Sequence, residues 1–181
     1  ALDEILAGQF KEEHRFLLHT KVLREGKTIA ESTAFNDVVV HVREVIRMIE
    51  LDTYVDGRYL NTQRADGLIV ATPTGSTAYA LSGGGPILHP NLNAIVLVPI
   101  CPHTLSNRPI VVDADSQITI EISQHNNPPA RVSFDGQDNV DLLPSDRMQI
   151  HRQADKLRLI QPKGHDYFEI LRAKLRWSEQ L

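Results

Sequence analysis

Between Arg64 and Pro86 the chain reads Arg-Ala-Asp-Gly-Leu-Ile-Val-Ala-Thr-Pro-Thr-Gly-Ser-Thr-Ala-Tyr-Ala-Leu-Ser-Gly-Gly-Gly-Pro, which puts a carboxylate, a hydroxyl and an aromatic ring around one loop as Asp66, Thr77 and Tyr79. Those groups can accept, donate and stack against a polar, ring-bearing ligand. Leu68, Ile69 and Val70 form a short apolar run of strand type, which Pro73 and Gly75 interrupt with a turn. Ser76 or Thr77 is expected to cap a short helix from Tyr79 to Ser82, with free N–H groups directed at an anion or a purine edge. The plain structural alternative is that the same glycines and hydroxyls only make a turn and a cap.

Other chemistries find less support. Eight histidines (His14, His19, His41, His89, His103, His125, His151 and His165) show neither His-Glu-x-x-His spacing nor cysteine clustering, so solvated or core roles fit them better than metal ligation. Ser76 follows Gly75, but the second glycine of a nucleophile elbow is missing. Cys101 next to His103 reads as a small buried thiol rather than a nucleophile.

The elements that must hold these residues are mostly strands. Strand-type runs occur at 15–24, 28–33, 38–42, 46–55, 58–62, 67–72, 94–98, 110–112, 117–123, 131–134, 147–151 and 156–160. Glu25-Gly26-Lys27, Asp56-Gly57 and Asp135-Gly136 supply tight connections between them. The expected class is mainly β, packed antiparallel sheets of sandwich type with a few short helices. Residues 1–6 make an amphipathic turn with Gly8 as its cap, and Asn126-Asn127-Pro128-Pro129 marks a surface loop. Asp166 with Glu169 opens a terminal helix carrying the apolar stripe Phe168, Leu171, Leu175 and Trp177.

At 181 residues the chain can bury one good core. A net charge of −4 and a pI near 6.1 give no electrostatic case for nucleic acid or an acidic membrane surface. A single cysteine excludes an internal disulfide framework and suits a reducing cytoplasm. No apolar run approaches the roughly twenty residues that span a bilayer.

The ordered run from Asp66 to Pro86 closely resembles the signature of NAD kinases. Asn36-Asp37 upstream, Pro99 to Pro109, and Phe134-Asp135-Gly136-Gln137 agree with it in the same order, so the resemblance covers nearly the whole chain. It departs in two places. Many bacterial members carry Asn-Glu where this chain has Asn36-Asp37, one methylene shorter. The Gly-Gly-Asp-Gly motif, whose Asp is taken to act on the acceptor hydroxyl, does not occur, and Gly83-Gly84-Gly85-Pro86 lacks the acid.

The resemblance implies phosphoryl transfer from ATP, in some members also from polyphosphate, to the 2′-hydroxyl of the adenosine ribose of NAD, yielding NADP, with a divalent metal such as Mg2+ accompanying ATP. It further implies that residues 1–162 are an NAD-binding β domain and 163–181 a segment that packs on an α/β amino-terminal domain, this chain being the carboxy-terminal part and inactive alone. Asn36 and Asp37 would hold ribose and purine edge. Asp66, Thr77 and the Ala78 backbone would meet the adenine or the nicotinamide amide, with Tyr79, Ala80, Leu81 and Ser82 completing the wall. Arg64 and Arg47 would face phosphates, and Gln137 would offer an amide. A cytoplasmic homo-oligomer, dimer or tetramer, is expected, without nucleic acid or membrane. The alternatives are a non-catalytic dinucleotide-binding β module and a related lipid or sphingoid kinase domain.

Overall fold

The computed structural model describes residues 2–43, 48–104, 106–125 and 129–177. Arg47 and the loop expected at Asn126-Asn127-Pro128 lie outside the described residues. The elements are α1 (Leu2–Leu6), β1 (Phe10–Arg24), β2 (Lys27–Ala34), β3 (Asp37–Val42), β4 (Ile49–Val55), β5 (Arg58–Ala65), β6 (Gly67–Ala71), α2 (Tyr79–Ser82), β7 (Ala94–Ile100), β8 (Ile110–Asp113), β9 (Ile118–Ile122), β10 (Ala130–Phe134), β11 (Asp138–Leu142), β12 (Arg147–Pro162) and α3 (Tyr167–Leu175). They fall into two compact units, residues 15–156 and residues 1–14 with 157–181.

The larger unit is built from two six-stranded sheets, ordered β2-β1-β12-β9-β4-β5 and β11-β10-β3-β6-β7-β8. The recorded pairings are antiparallel, as the short runs and tight connections lead one to expect. All three expected hairpin turns carry two consecutive residues with positive φ: Glu25-Gly26, Asp56-Gly57 and Asp135-Gly136. That geometry matches the right-handed twist of the strands it joins.

The first sheet alternates. On β4, Ile49, Leu51 and Thr53 point inward and Glu50, Asp52 and Tyr54 outward. The central strands of the second sheet do not alternate. Val38 and Val40 of β3, with Leu68 and Val70 of β6, join Leu18, Ile49, Leu51, Ile120 and Met148 in the main core. Val39 and Ile69 face the opposite way, into a smaller cluster with Ala71, Ala80, Leu88, Val96 and Val98. A continuous Val/Ile/Leu run is what burial on both faces demands, and here α2 and the chain after it cover part of the second face. Each large aliphatic side chain so buried is worth about 1.5 to 3 kcal/mol.

Three expectations are corrected. Cys101 is exposed and adopts a positive φ of 44°, because β7 ends at Ile100 and the chain turns away from the sheet. The runs at 147–151 and 156–160 are one strand, and β11 was not foreseen, since its sequence Asp-Asn-Val-Asp-Leu buries only Leu142 at a sheet edge. Finally, neither Ser76 nor Thr77 caps α2; a 3-10 turn over Gly75–Thr77 leads into it and Ala78 holds the cap position.

In the smaller unit, α1 is followed by Gly8, whose N–H donates to the Ile5 carbonyl at 3.0 Å. Asp166 caps α3, accepting from the N–H groups of Phe168 (2.8 Å) and Glu169 (3.3 Å). Leu171 is buried, whereas Phe168, Ile170 and Trp177 are exposed.

Candidate functional site

The face of the second sheet that α2 leaves uncovered opens into a cavity of about 540 Å³, lined by Asn36, Asp37, Val39, His41, Val42, Asp66, Ala78, Tyr79, Ile100, Ser133, Asp135 and Gly136. Strand periodicity explains the set. Residues 37, 39 and 41 project to one side of β3, and Ser133 is the cross-strand partner of Val39 on β10. The volume suits part of a nucleotide-sized ligand, with an apolar wall and a few convergent polar groups.

The segment entering β3 is clamped from two sides. The Asp135 carboxylate accepts the N–H of Phe35 through Oδ2 at 2.7 Å, and those of Asn36 and Asp37 through Oδ1 at 2.7 and 3.0 Å. From the loop, the Thr72 hydroxyl donates to the Phe35 carbonyl at 2.7 Å and the Thr72 N–H to the Asn36 carbonyl at 2.9 Å. Gly75 lies so near that a Cβ there would sit 2.0 Å from the Asn36 oxygen, which is why the position must be glycine. The Asn36 and Asp37 side chains are left to line the cavity.

Asp37 is only 5% exposed. Burial, reinforced by the negative charge of Asp135, pushes its carboxyl up to about 6. A carboxylate held in this state gains most from a ligand that brings hydroxyl or amide donors.

Asp66 sits between β5 and β6, and its own backbone ties the neighbouring strands: its N–H donates to the Ile100 carbonyl and its carbonyl accepts from Val42, both at 2.9 Å. Across the cavity, Tyr79 is half exposed at the start of α2. Ser76 is fully buried and serves the loop instead, donating to the Pro73 carbonyl at 2.6 Å and accepting the Leu88 N–H at 2.9 Å. His41 Nδ1 lies 2.8 Å from the Val42 carbonyl; a carbonyl only accepts, so Nδ1 carries the proton and Nε2 is the other polar end of the ring.

Of the residues singled out in the sequence, Asn36, Asp37, Asp66, Ala78 and Tyr79 are brought together at this cavity. Thr77 is not in the lining set; its hydroxyl reaches the Thr74 carbonyl at 3.3 Å. Ala80 packs into the smaller apolar cluster, and Leu81 and Ser82 follow it along α2 without lining the cavity. Arg64 is exposed on β5, and Gln137 is exposed beside Gly136. Arg47 lies outside the described residues.

Sequence reasoning missed Val39, His41, Ile100, Ser133 and Asp135 as lining residues. The two-residue period from Asp37 would have given Val39 and His41. Asp135 stood out in the sequence as half of a turn and as part of the Phe134–Gln137 segment, with no site role attached to it. Among the described residues no group of three or more His, Cys, Asp or Glu could hold a metal ion. No described helix is long and apolar enough to cross a membrane.

Residues 35–162 match the family model described as the ATP-NAD kinase C-terminal domain. Among curated relatives, the NAD kinase of Nitrosococcus oceani is 55% identical over 180 residues, covering 99% of this chain and 61% of the relative. That of Shewanella oneidensis is 52% identical over 181 residues, covering 100% of this chain and 62% of the relative. The chain thus spans about 61% of the length of the curated relatives it matches. Among solved structures, a yeast NADH kinase complexed with NADH superimposes with a TM-score of 0.91 at 28% identity, over 99% of this chain and 54% of that one. An Archaeoglobus fulgidus NAD kinase in complex with ATP gives 0.79 at 28% identity, over 97% and 64%.

Proposed function

The chain belongs to the NAD kinase family, and from that premise we propose that it is the NAD-binding part of an enzyme that transfers a phosphoryl group from ATP to the 2′-hydroxyl of the adenosine ribose of NAD, making NADP. The observation that carries this reading is the cavity in which Asn36, Asp37, Asp66 and Tyr79 converge on the uncovered face of the second sheet. Such chemistry depends on placing acceptor and donor in line, an effect worth about 7 to 11 kcal/mol, and on neutralising phosphate charge.

In this reading the Asp37 carboxylate accepts from a ribose hydroxyl and Asn36 meets the sugar and purine edge. Asp66 and the Ala78 backbone receive the adenine or the nicotinamide amide, and the Tyr79 ring closes the wall. Thr77, Ala80, Leu81 and Ser82 support that wall from the loop and α2. Arg64 and Arg47 are assigned to the ligand's phosphates and Gln137 to its amide. Mg2+ travels with ATP; the described residues offer no cluster to hold it, so no protein ligand is assigned to it. Residues 1–162 form the NAD-binding β domain, and 163–181 pack on an amino-terminal α/β domain, a role supported by the exposed Phe168, Ile170 and Trp177 of that segment. The assembly is a cytoplasmic homo-oligomer, a dimer or tetramer.

The experiment is a turnover assay. The full-length protein with ATP, Mg2+ and NAD is expected to form NADP, and this chain alone is expected to bind NAD without turning it over. NADP formation by the isolated chain would refute the assignment of the acid to another segment, and failure of the full-length protein would refute the activity.

A further inference from the structure

We propose that Asp135 is a positioning residue for the acceptor site: its carboxylate fixes the backbone of residues 35–37 so that the Asn36 and Asp37 side chains face the dinucleotide. The inference rests on the reading of the cavity given above and assigns a task to a residue that touches no ligand in it.

Three successive N–H groups converging on one carboxylate form an anion nest, here occupied by the protein's own side chain. The geometry comes from the turn. Asp135 adopts a φ of 49° and Gly136 of 67°, a conformation Asp tolerates better than most residues. The backbone adds a fourth tie, since the Asp135 N–H donates to the Asp37 carbonyl at 3.0 Å. Without the carboxylate, the N–H groups of Phe35 and Asn36 would be left facing the end of β10. An asparagine supplies one acceptor oxygen where the two Asp135 oxygens receive different N–H groups, so it cannot reproduce the nest.

The same negative charge also acts on Asp37, and this separates a positioning role from plain structural support. The titratable groups lining the cavity around Asp37 are Asp135 from the β10–β11 turn, His41 from β3, Asp66 from the β5–β6 junction and Tyr79 from α2. Removing the Asp135 charge lowers the Asp37 carboxyl towards its ordinary range.

The test is calorimetric titration of the full-length wild-type protein and Asp135→Asn with NAD between pH 5 and pH 8, values on the order of the titration range of a perturbed carboxyl. Wild-type affinity is expected to fall as Asp37 takes up its proton. In Asp135→Asn the affinity at the alkaline end should drop about tenfold, the cost of unmatched donors, and the acidic limb should move down by at least about half a pH unit. Weaker binding with an unmoved limb would reduce Asp135 to structural support, and unchanged binding would remove its role; either overturns the proposal. A wild-type protein that binds no NAD at any pH would overturn the cavity reading itself, and this inference with it. A second measurement needs no variant: in the wild-type protein the amide protons of Phe35, Asn36 and Asp37, all donors to one carboxylate, should be protected together from hydrogen exchange. Rapid exchange at Phe35 or Asn36 would refute the nest even if Asp135→Asn failed to fold.

Discussion

Asp37→Asn should make the unliganded protein more stable while making it a worse binder. The folded carboxyl holds its proton up to about pH 6, against 3.8 for an ordinary Asp, so ionising it inside the cavity costs free energy that ionising it in the unfolded chain does not. Two pH units correspond to about 3 kcal/mol at roughly 1.4 kcal/mol per unit, a ceiling that water in the open cavity lowers to about 1 to 3 kcal/mol. The sign follows from proton counts. Between pH 3.8 and about 6 the folded state binds more protons than the unfolded one, so stability declines as pH rises through this window and stays at the lower level above it. Asparagine has no such proton. Denaturant unfolding at about pH 8 should therefore find Asp37→Asn about 1 to 3 kcal/mol more stable than wild type, and at about pH 4 the gap should close. NAD affinity of the variant should fall about tenfold, because a hydrogen bond to a charged acceptor is replaced by one to a neutral amide. A variant that is less stable at pH 8, or a gap that does not change with pH, would refute the account of Asp37 as a carboxylate kept for its ligand at the expense of the fold.

Gly75→Ala should destabilise the protein by about 3 kcal/mol or more, since the new Cβ falls 2.0 Å from the Asn36 carbonyl oxygen and must push the loop away from β3; thermal unfolding with NAD titration would register both losses, and a wild-type melting temperature would contradict the close approach. Thr53→Val should be neutral or stabilising by about 1 kcal/mol, because the Thr53 hydroxyl is buried inside the sandwich with no hydrogen-bond partner among the described residues. Urea unfolding tests it, and a loss above about 1 kcal/mol would mean that the hydroxyl is satisfied after all.

Much of the fold was legible because local signals and tertiary need agree. Glu25-Gly26, Asp56-Gly57 and Asp135-Gly136 each fix a hairpin through backbone conformations that few other dipeptides adopt. The Asp166 cap of α3 could be read for a similar local reason, whereas α2 occupies the expected Tyr79–Ser82 without the side-chain cap expected for it. What escaped depends on partners far along the chain. Strand β11 has a polar sequence that pairing with β10 turns into an edge, and β12 continues through Gln153-Ala-Asp-Lys156 where the side chains alone gave no strand signal. The site divides in the same way. Asp66, Ala78 and Tyr79 are near neighbours in a readable motif, whereas the work of Asp135 appears only when the end of β10 meets residues about 100 positions earlier. Thr77 and Gln137 were chosen for their chemistry, but the 3-10 turn and the hairpin tip keep both out of the cavity lining.

The central claim is that the acceptor site lies within these residues, and calorimetric titration of this chain with NAD, with AMP as the comparison ligand, tests it most directly. Saturable binding that weakens at least about tenfold in Asp66→Asn, with the variant still folded, is the expected result, since Asp66 offers a charged acceptor in the cavity. Equal NAD affinity in the two proteins, or a folded chain and a full-length protein that both fail to bind NAD, would contradict it.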